Sequence, residues 1–321
     1  MVVLRSVRAE GEAAASAIDA PATTLPGFVP QLSLLVGFAL MALSVAVLVY
    51  FLNHVPASIR INSVLQGIGE RLLNDVRRDF PESADGAEDQ PAPEGDAIHA
   101  GATGYIQLID YDAMAKVARK ADCRIALEVR TGDFVHQGMA LGRVCEGEAD
   151  EELAGQVRDA FTIGASRTPS QDPQFLIDEL VEIGLRALSP GINDPFTAIT
   201  ALHWLGAATA ELGRRDLRKS TAGEKGDARR ILPLPDDFAH YLARGFRAVR
   251  SAAATSRPAA LVMLDALRHA AFTLDDERRQ VLLRREGARL LEQARLNLEG
   301  PDRQEVEARH VLFDQAFERA D

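Results

Sequence analysis

The chain of 321 residues is short of cysteine, of aromatic residues and of basic charge, and each shortage removes a class of protein. Cys123 and Cys145 are its only cysteines, too few for a disulfide framework and at no metal-ligand spacing. Both sit among apolar neighbours and read as inert core thiols of a protein in a reducing compartment. Aromatic residues make up 6% of the chain, while Ala, Leu and Arg dominate, a balance that leans towards helix. A net charge of −11 leaves no basic excess for a phosphate backbone and excludes a general nucleic-acid binder. Hydrophobic content of 47% against 26% charged residues is that of a folded chain, long enough for more than one folding unit.

Charge is also missing locally. From Ala20 to Val55 there is no Asp, Glu, Lys or Arg, and Gln31–Leu52 (QLSLLVGFALMALSVAVLVYFL) is almost wholly apolar. At about 1.5 Å per residue this run spans roughly 33 Å as a helix, enough to cross a hydrocarbon core of about 30 Å. A secretory signal would have a shorter apolar core directly behind a basic start, and a small-residue cleavage site after it. Here Asn53-His54-Val55-Pro56 follows instead. The run therefore predicts a transmembrane helix, and the lipid bilayer is the first partner. Arg60 and Arg71 follow the run closely, with Arg77 and Arg78 just beyond, whereas the preceding twenty residues carry no Lys or Arg. The positive-inside tendency then places the C-terminal bulk in the cytoplasm, below a bacterial inner (plasma) membrane.

Beyond the span, Ile61, Val64, Leu65, Ile68, Leu72, Val76 and Phe80 recur at a helical period. They predict an amphipathic stalk that continues the membrane helix past a kink near Pro56, its apolar face covered by the chain's own domain or by another subunit. Residues 81–102 are acidic and rich in Pro and Gly and read as a flexible linker. GYIQLI at 104–109, RIALEV at 124–129 and FVHQGMALGRV after Thr131-Gly132-Asp133 read as short strands, with a helix over 112–121. From Asp150 onwards the period is helical. Asp172-Pro173 and Asp194-Pro195 are two copies of one helix start, Asp as cap and Pro in the first turn. Further helices are expected at roughly 236–254, 257–273, 276–298 and 302–319, completing a bundle.

The predicted fold class is thus a mainly α membrane protein with one transmembrane helix, an amphipathic stalk, a small β-rich, barrel-like module and a C-terminal helical bundle. The predicted domains are an extracytoplasmic segment at 1–27, the membrane helix at 28–53, the stalk at 54–80, the linker at 81–102, the β-rich module at 103–148 and the helical domain at 150–321.

With these segments assigned, the chain resembles the DUF2254 family of predicted bacterial membrane proteins. The resemblance is carried by FVPQLSLLVGFALMALSVAVLVYFLNHVPASI, GYIQLIDYDAMAKVA, GDFVHQGMALGRV, QDPQFLIDELVEIGLRALSPGINDPFTAITALHWL and, more loosely, FRAVRSAA. It implies a membrane location and no particular reaction. It also implies several spans ahead of the one seen here, so MVVLRSVRAE reads as the tail of a preceding span and the chain as an N-terminally shortened form.

Candidate chemistry gathers around RALSPGINDPFTAI, residues 186–199. Ser189, Gly191, Asn193 and Asp194, with Arg186 before them and Asp172 at the sister helix start, form the candidate ligand site. The same residues suit a purely structural corner, Ser-Pro-Gly ending one helix and Asn-Asp-Pro capping the next. Free N–H groups behind Pro195 would suit a phosphate or carboxylate. Asp178, Glu182 and Arg186 share one helix face, equally consistent with a solvated row of ion pairs. His203 has no second ligand at metal spacing. TGDFVHQGMALGRV resembles the hairpin of biotinyl and lipoyl carrier domains, but the acceptor lysine has no counterpart; Lys116 and Lys120 lie on the preceding helix. No cofactor or metal is therefore expected. The loop at 214–230 holds seven Arg or Lys residues and is a candidate contact for anionic lipid. With no nucleophile–base pair in view, the expected function is a non-enzymatic, homo-oligomeric channel, transport or scaffold component. The alternative is a membrane-tethered sensor of a small anionic ligand at Ser189–Pro195.

Overall fold

The computed structural model describes residues 31–58, 61–82, 94–147, 149–217, 230–234 and 237–318, with side chains omitted from 52 to 58. The segment expected at 1–27, half of the linker and most of the basic loop lie outside the described residues, as does the junction at 59–60. The chain divides into a unit ending at Arg60 and a larger unit from Ile61 to Asp321.

In the first unit, helix α1 runs over Gln31–Ser58, past Pro56. Its stretch Gln31–Phe51 has a mean hydropathy of 2.7 and none of it is buried. A soluble core helix buries such a surface against its own chain; among the described residues none packs over α1 enough to bury it.

The second unit holds two apolar cores. The larger is built by α2 (Ile61–Asp79), α5 (Pro173–Ala187), α6 (Pro195–Gly213), α7 (Phe238–Leu242), a π-helical turn at Ala243–Arg247, α8 (Ala248–Ala253), α9 (Arg257–Ala271), α10 (Glu277–Asn297) and α11 (Gly300–Glu318). Leu65, Leu72, Val76 and Phe80 are all fully buried, packed with Leu180, Leu205 and Tyr241 in one cluster. From Leu65 onwards the stripe expected of a stalk is therefore covered by the chain's own α5 and α6, while Ile61 and Val64 stay exposed. Full burial of each such side chain is worth about 1.5–3 kcal/mol. Gly69 admits the Trp204 ring where a Cβ would stand, and Gly206 does the same for Ala266.

These contacts also fix the directions of the helices. Gly69 meets Trp204 and Arg77 meets Glu211, so α2 and α6 run the same way. Gly206 meets Ala266 and Gly213 meets Leu274, which sets α9 parallel to α6. Arg257 bonds Glu305, and Arg309 bonds Asp265, adding α11 to that set. Helices α5, α8 and α10 run back: Gly184 meets Val249, and Arg250 meets Glu286 and Gln293. One pole thus gathers Ile61, the α5–α6 corner, the α8–α9 turn and the α10–α11 turn. The other gathers Phe80, Arg215 and the residues after α9.

The smaller core lies between two sheets. One has the order β1 (Asp96–His99), β5 (Ala140–Glu146), β3 (Arg124–Leu127) and β7 (Ile231–Leu232). The other has the order β4 (Phe134–Val135), β2 (Gly104–Ile109) and β6 (Phe161–Gly164). Helices α3 (Tyr111–Lys120) and α4 (Glu151–Asp159), capped by Asp110 and Asp150, close it over Ile106, Met114, Cys123, Ile125 and Val144.

Three sequence-level boundaries shift. Asp96–His99, expected in the linker, is a strand because it pairs with the edge of β5 and buries Ile98. The module expected to end at 148 also takes β6 and β7 from the stretch assigned to the helical domain at 150–321, β7 from the loop before its helix at 236; two to four residues carry too little periodicity to announce a strand. FVHQGMALGRV supplies two strands but no hairpin, since β4 pairs with β2 while β5 pairs with β1 and β3. The turn at Gly138, with φ +87°, carries the chain from one sheet to the other.

Candidate functional site

At the corner opened by Ser189, the chain satisfies its own polar groups. Ser189 Oγ donates to the Arg186 carbonyl at 2.7 Å. The Ser189 carbonyl accepts from the N–H groups of Ile192 and Asn193, and Asp194 N–H donates to the Ala187 carbonyl at 2.8 Å. Asn193 takes a left-handed conformation, φ +49°, which Asn tolerates better than most residues. The Asp194 carboxylate accepts from Thr197 Oγ1 at 2.6 Å and from Thr197 N–H at 3.2 Å. Those two bonds hold it below the usual carboxylate range. The corner leaves Pro190, Gly191 and Asn193 exposed, together with two large apolar side chains, Ile192 at 55% and Phe196 at 78%.

Asp172 is not part of that corner. It caps the opposite end of α5, a helix of 15 residues and so about 22 Å long. Its carboxylate, 1% exposed, accepts from Phe175 N–H and from Arg167 Nε and Nη2. Burial pushes its carboxyl upward against the pull of Arg167. Arg167 also bonds Asp178, which receives Arg244 Nε at 2.7 Å and Nη2 at 2.6 Å. The alternating row Asp172–Arg167–Asp178–Arg244 joins the end of the β-rich part to the helical part. Around it, Gln107 Nε2 donates to the Ser166 carbonyl and Ile109 N–H donates to Gln171 Oε1. Gly132, at φ +92°, lies so close to Asp172 that a Cβ would overlap its carboxylate. Beside it Thr131 Oγ1 is buried and has no hydrogen-bond partner among the described residues.

Between these two ends lies an open groove of about 660 Å³ lined by Asp178, Val181, Glu182, Leu185, Arg186, Ser189, Arg244 and Ala248. The row Asp178, Glu182 and Arg186, legible as one helix face, does line one surface. Arg244, which sequence spacing could not supply, completes it from the π-helical turn, a backbone irregularity often found at functional positions. Arg186 bonds Glu182 at 2.6 Å, so both guanidinium groups facing the groove are already paired with carboxylates. An anion here would compete with Asp178 and Glu182. Among the described residues, no three of His, Cys, Asp or Glu are grouped to hold a metal ion. The Cys123 thiol is fully buried, and burial pushes it up.

Comparison with known proteins gives a consistent picture. A family model described as "Predicted membrane protein (DUF2254)" matches residues 1–269. Two uncharacterized proteins, one from Mycobacterium bovis and one from Mycobacterium tuberculosis, are each 35% identical over 238 residues, covering 70% of this chain and 45% of the relative. The chain thus spans about half the length of these curated relatives. No solved structure matches it.

Proposed function

Since the chain belongs to the DUF2254 family of predicted membrane proteins, we propose that it is a membrane-anchored, non-enzymatic scaffold. In this reading α1 crosses a bacterial inner membrane, and the unit from Ile61 onwards lies in the cytoplasm. One observation carries it: Gln31–Phe51, 21 residues of mean hydropathy 2.7, is long enough to span, and none of it is buried among the described residues. The arginines that follow it favour a cytoplasmic C-terminal side. Anchoring is favoured over conduction because copies of α1 would line a path mostly with Leu, Val and Ala, the polar residues of its Gln31–Phe51 stretch being Gln31, Ser33, Ser44 and Tyr50. Homo-oligomers would form through α1 and not through Leu65, Leu72 and Val76 of α2, which are buried within the chain. The test is extraction of native membranes at alkaline pH: the protein should stay in the pellet until detergent is added, and release without detergent would overturn the reading.

A second reading, a sensor for a small anion, is favoured by the convergence of Arg186, Ser189 and Arg244 on one groove. Inorganic phosphate should then raise the unfolding temperature of the wild type and not of Arg186→Ala. Equal responses would remove this reading.

A further inference from the structure

We infer that Arg167 and Asp178 form an ionic latch between the β-rich part and the helical part, and that opening it lets the β-rich part swing as a body about Gln171. The inference concerns the unit from Ile61 onwards alone and does not depend on how that unit is anchored.

The two parts bury separate cores. Ile106, Met114 and Ile125 belong to one apolar cluster, and Leu72, Leu180 and Leu264 to another, each cluster drawing only on its own part. Where two folded parts meet without a large apolar interface, relative motion is the ordinary expectation. What joins them here is polar. The connector at 165–172 leads from β6 into α5 and is bonded on both sides. On the β-rich side, Gln107 Nε2 donates to the Ser166 carbonyl at 2.7 Å, and Ile109 N–H donates to Gln171 Oε1 at 3.2 Å. On the helical side, Arg167 is shared between Asp172 and Asp178, and Asp178 is held in turn by Arg244.

The closed joint carries costs that opening would relieve. Gln171 sits at φ +55°, a left-handed conformation that residues other than Gly, Asn and Asp rarely take. Thr131 Oγ1 is buried and has no hydrogen-bond partner among the described residues. Gly132 is pressed against Asp172 so closely that even a Cβ would not fit. Strained backbone of this kind persists where the surrounding contacts hold it, and it gathers in switch regions. The arginine row is the contact that holds it here.

The two carboxylates on Arg167 are not equivalent. The Asp172 side chain is 1% exposed, whereas Asp178 is 34% exposed and its other partner, Arg244, 31%. Salt screens exposed charges far more than buried ones, the screening length falling from about 10 Å at 0.1 M to about 3 Å at 1 M. Asp172, which also caps α5, therefore keeps Arg167 at the pivot, and Asp178 is the half that lets go. With Asp178 released, the connector turns at Gln171. The bonds to Gln107 and Ile109 carry β2 with it, so the β-rich part moves as one body.

The test measures distances between paired spin labels on the full chain in detergent, in a Cys145→Ser background that leaves only the buried Cys123. One pair, Lys116→Cys with Phe272→Cys, spans the two parts; the other, Leu296→Cys with Phe272→Cys, lies within the helical part. All three positions are exposed. The 116–272 pair should show one distance at about 50 mM NaCl and a second population, at least about two-fold larger, at about 1 M. Arg167→Gln should show the second population at both salt concentrations, and the 296–272 pair should keep one distance throughout. A 116–272 distribution moved neither by salt nor by Arg167→Gln would overturn the latch. Equal broadening of both pairs would also overturn it, since the row would then merely stabilise the helical part. If Arg167→Gln does not fold, Asp178→Asn, which leaves the Asp172–Arg167 pair in place, is judged by the same two criteria.

Discussion

Asp172 and Glu211 do comparable work at two ends of the helical part, each a buried carboxylate that gathers arginines. Glu211, 4% exposed, accepts from Arg77, Arg214 and Arg215, and Arg215 reaches on to the Phe80 carbonyl. Burial pushes Glu211 up, but the arginine hydrogen bonds together hold it below its ordinary value. A carboxylate with a lowered folded-state pKa stabilises the fold above its unfolded-state value, here 4.5, and loses that contribution as the pH falls through the lower folded value. Glu211→Gln should therefore cost about 2 kcal/mol at neutral pH, with much of the difference from wild type gone by about pH 3. Thermal unfolding of both proteins at the two pH values measures this. Gly132→Ala should cost about 2–3 kcal/mol, since it adds a Cβ at positive φ against the Asp172 carboxylate. The loss should appear in chemical unfolding, with proteolysis between the β-rich and helical parts increased. Single residues were the least legible level of the sequence. The caps at Asp172 and Asp194 were readable because a cap acts within three residues. Arg167 and Arg244 were not, because Arg244 finds Asp178 across 66 residues of chain and no local spacing encodes that meeting.

At the level of elements, periodicity did most of the predicting. The helices expected from 236 onwards match α7 to α11 closely, since each buries a full stripe and the stripe is written in the sequence. The stripe on α2 was equally plain, yet periodicity says only that a face is covered and not by what. The covering turned out to be α5 and α6. Leu72→Ala should accordingly destabilise the unit by about 2–5 kcal/mol without changing the mass of the detergent-extracted particle. Denaturant unfolding and light scattering measure the two halves of that statement, and dissociation at unchanged stability would contradict it. The short strands β1, β6 and β7 escaped notice for the opposite reason. Each is defined by the backbone of a neighbour, not by its own side chains. The candidate site divides in the same way. The corner was legible as a turn, while the groove beside it was complete only once the π-helical turn brought Arg244 to α5.

For the whole molecule, two features of α1 and α2 set the architecture. Among the described residues nothing buries the Gln31–Phe51 stretch of α1, and two residues, 59 and 60, separate its end at Ser58 from α2. Within the unit from Ile61 onwards, the helical part meets the β-rich part through Asp172 and Asp178, which share Arg167. The measurement that tests the anchored reading most directly is topology in intact cells. Phe272→Cys in the Cys145→Ser chain is probed with a membrane-impermeant maleimide before and after the inner membrane is opened, on protein recovered from the membrane pellet. The account predicts membrane-pelleted protein that is labelled only after opening. Labelling of Phe272→Cys in intact cells, or protein recovered in the soluble fraction without detergent, would contradict it.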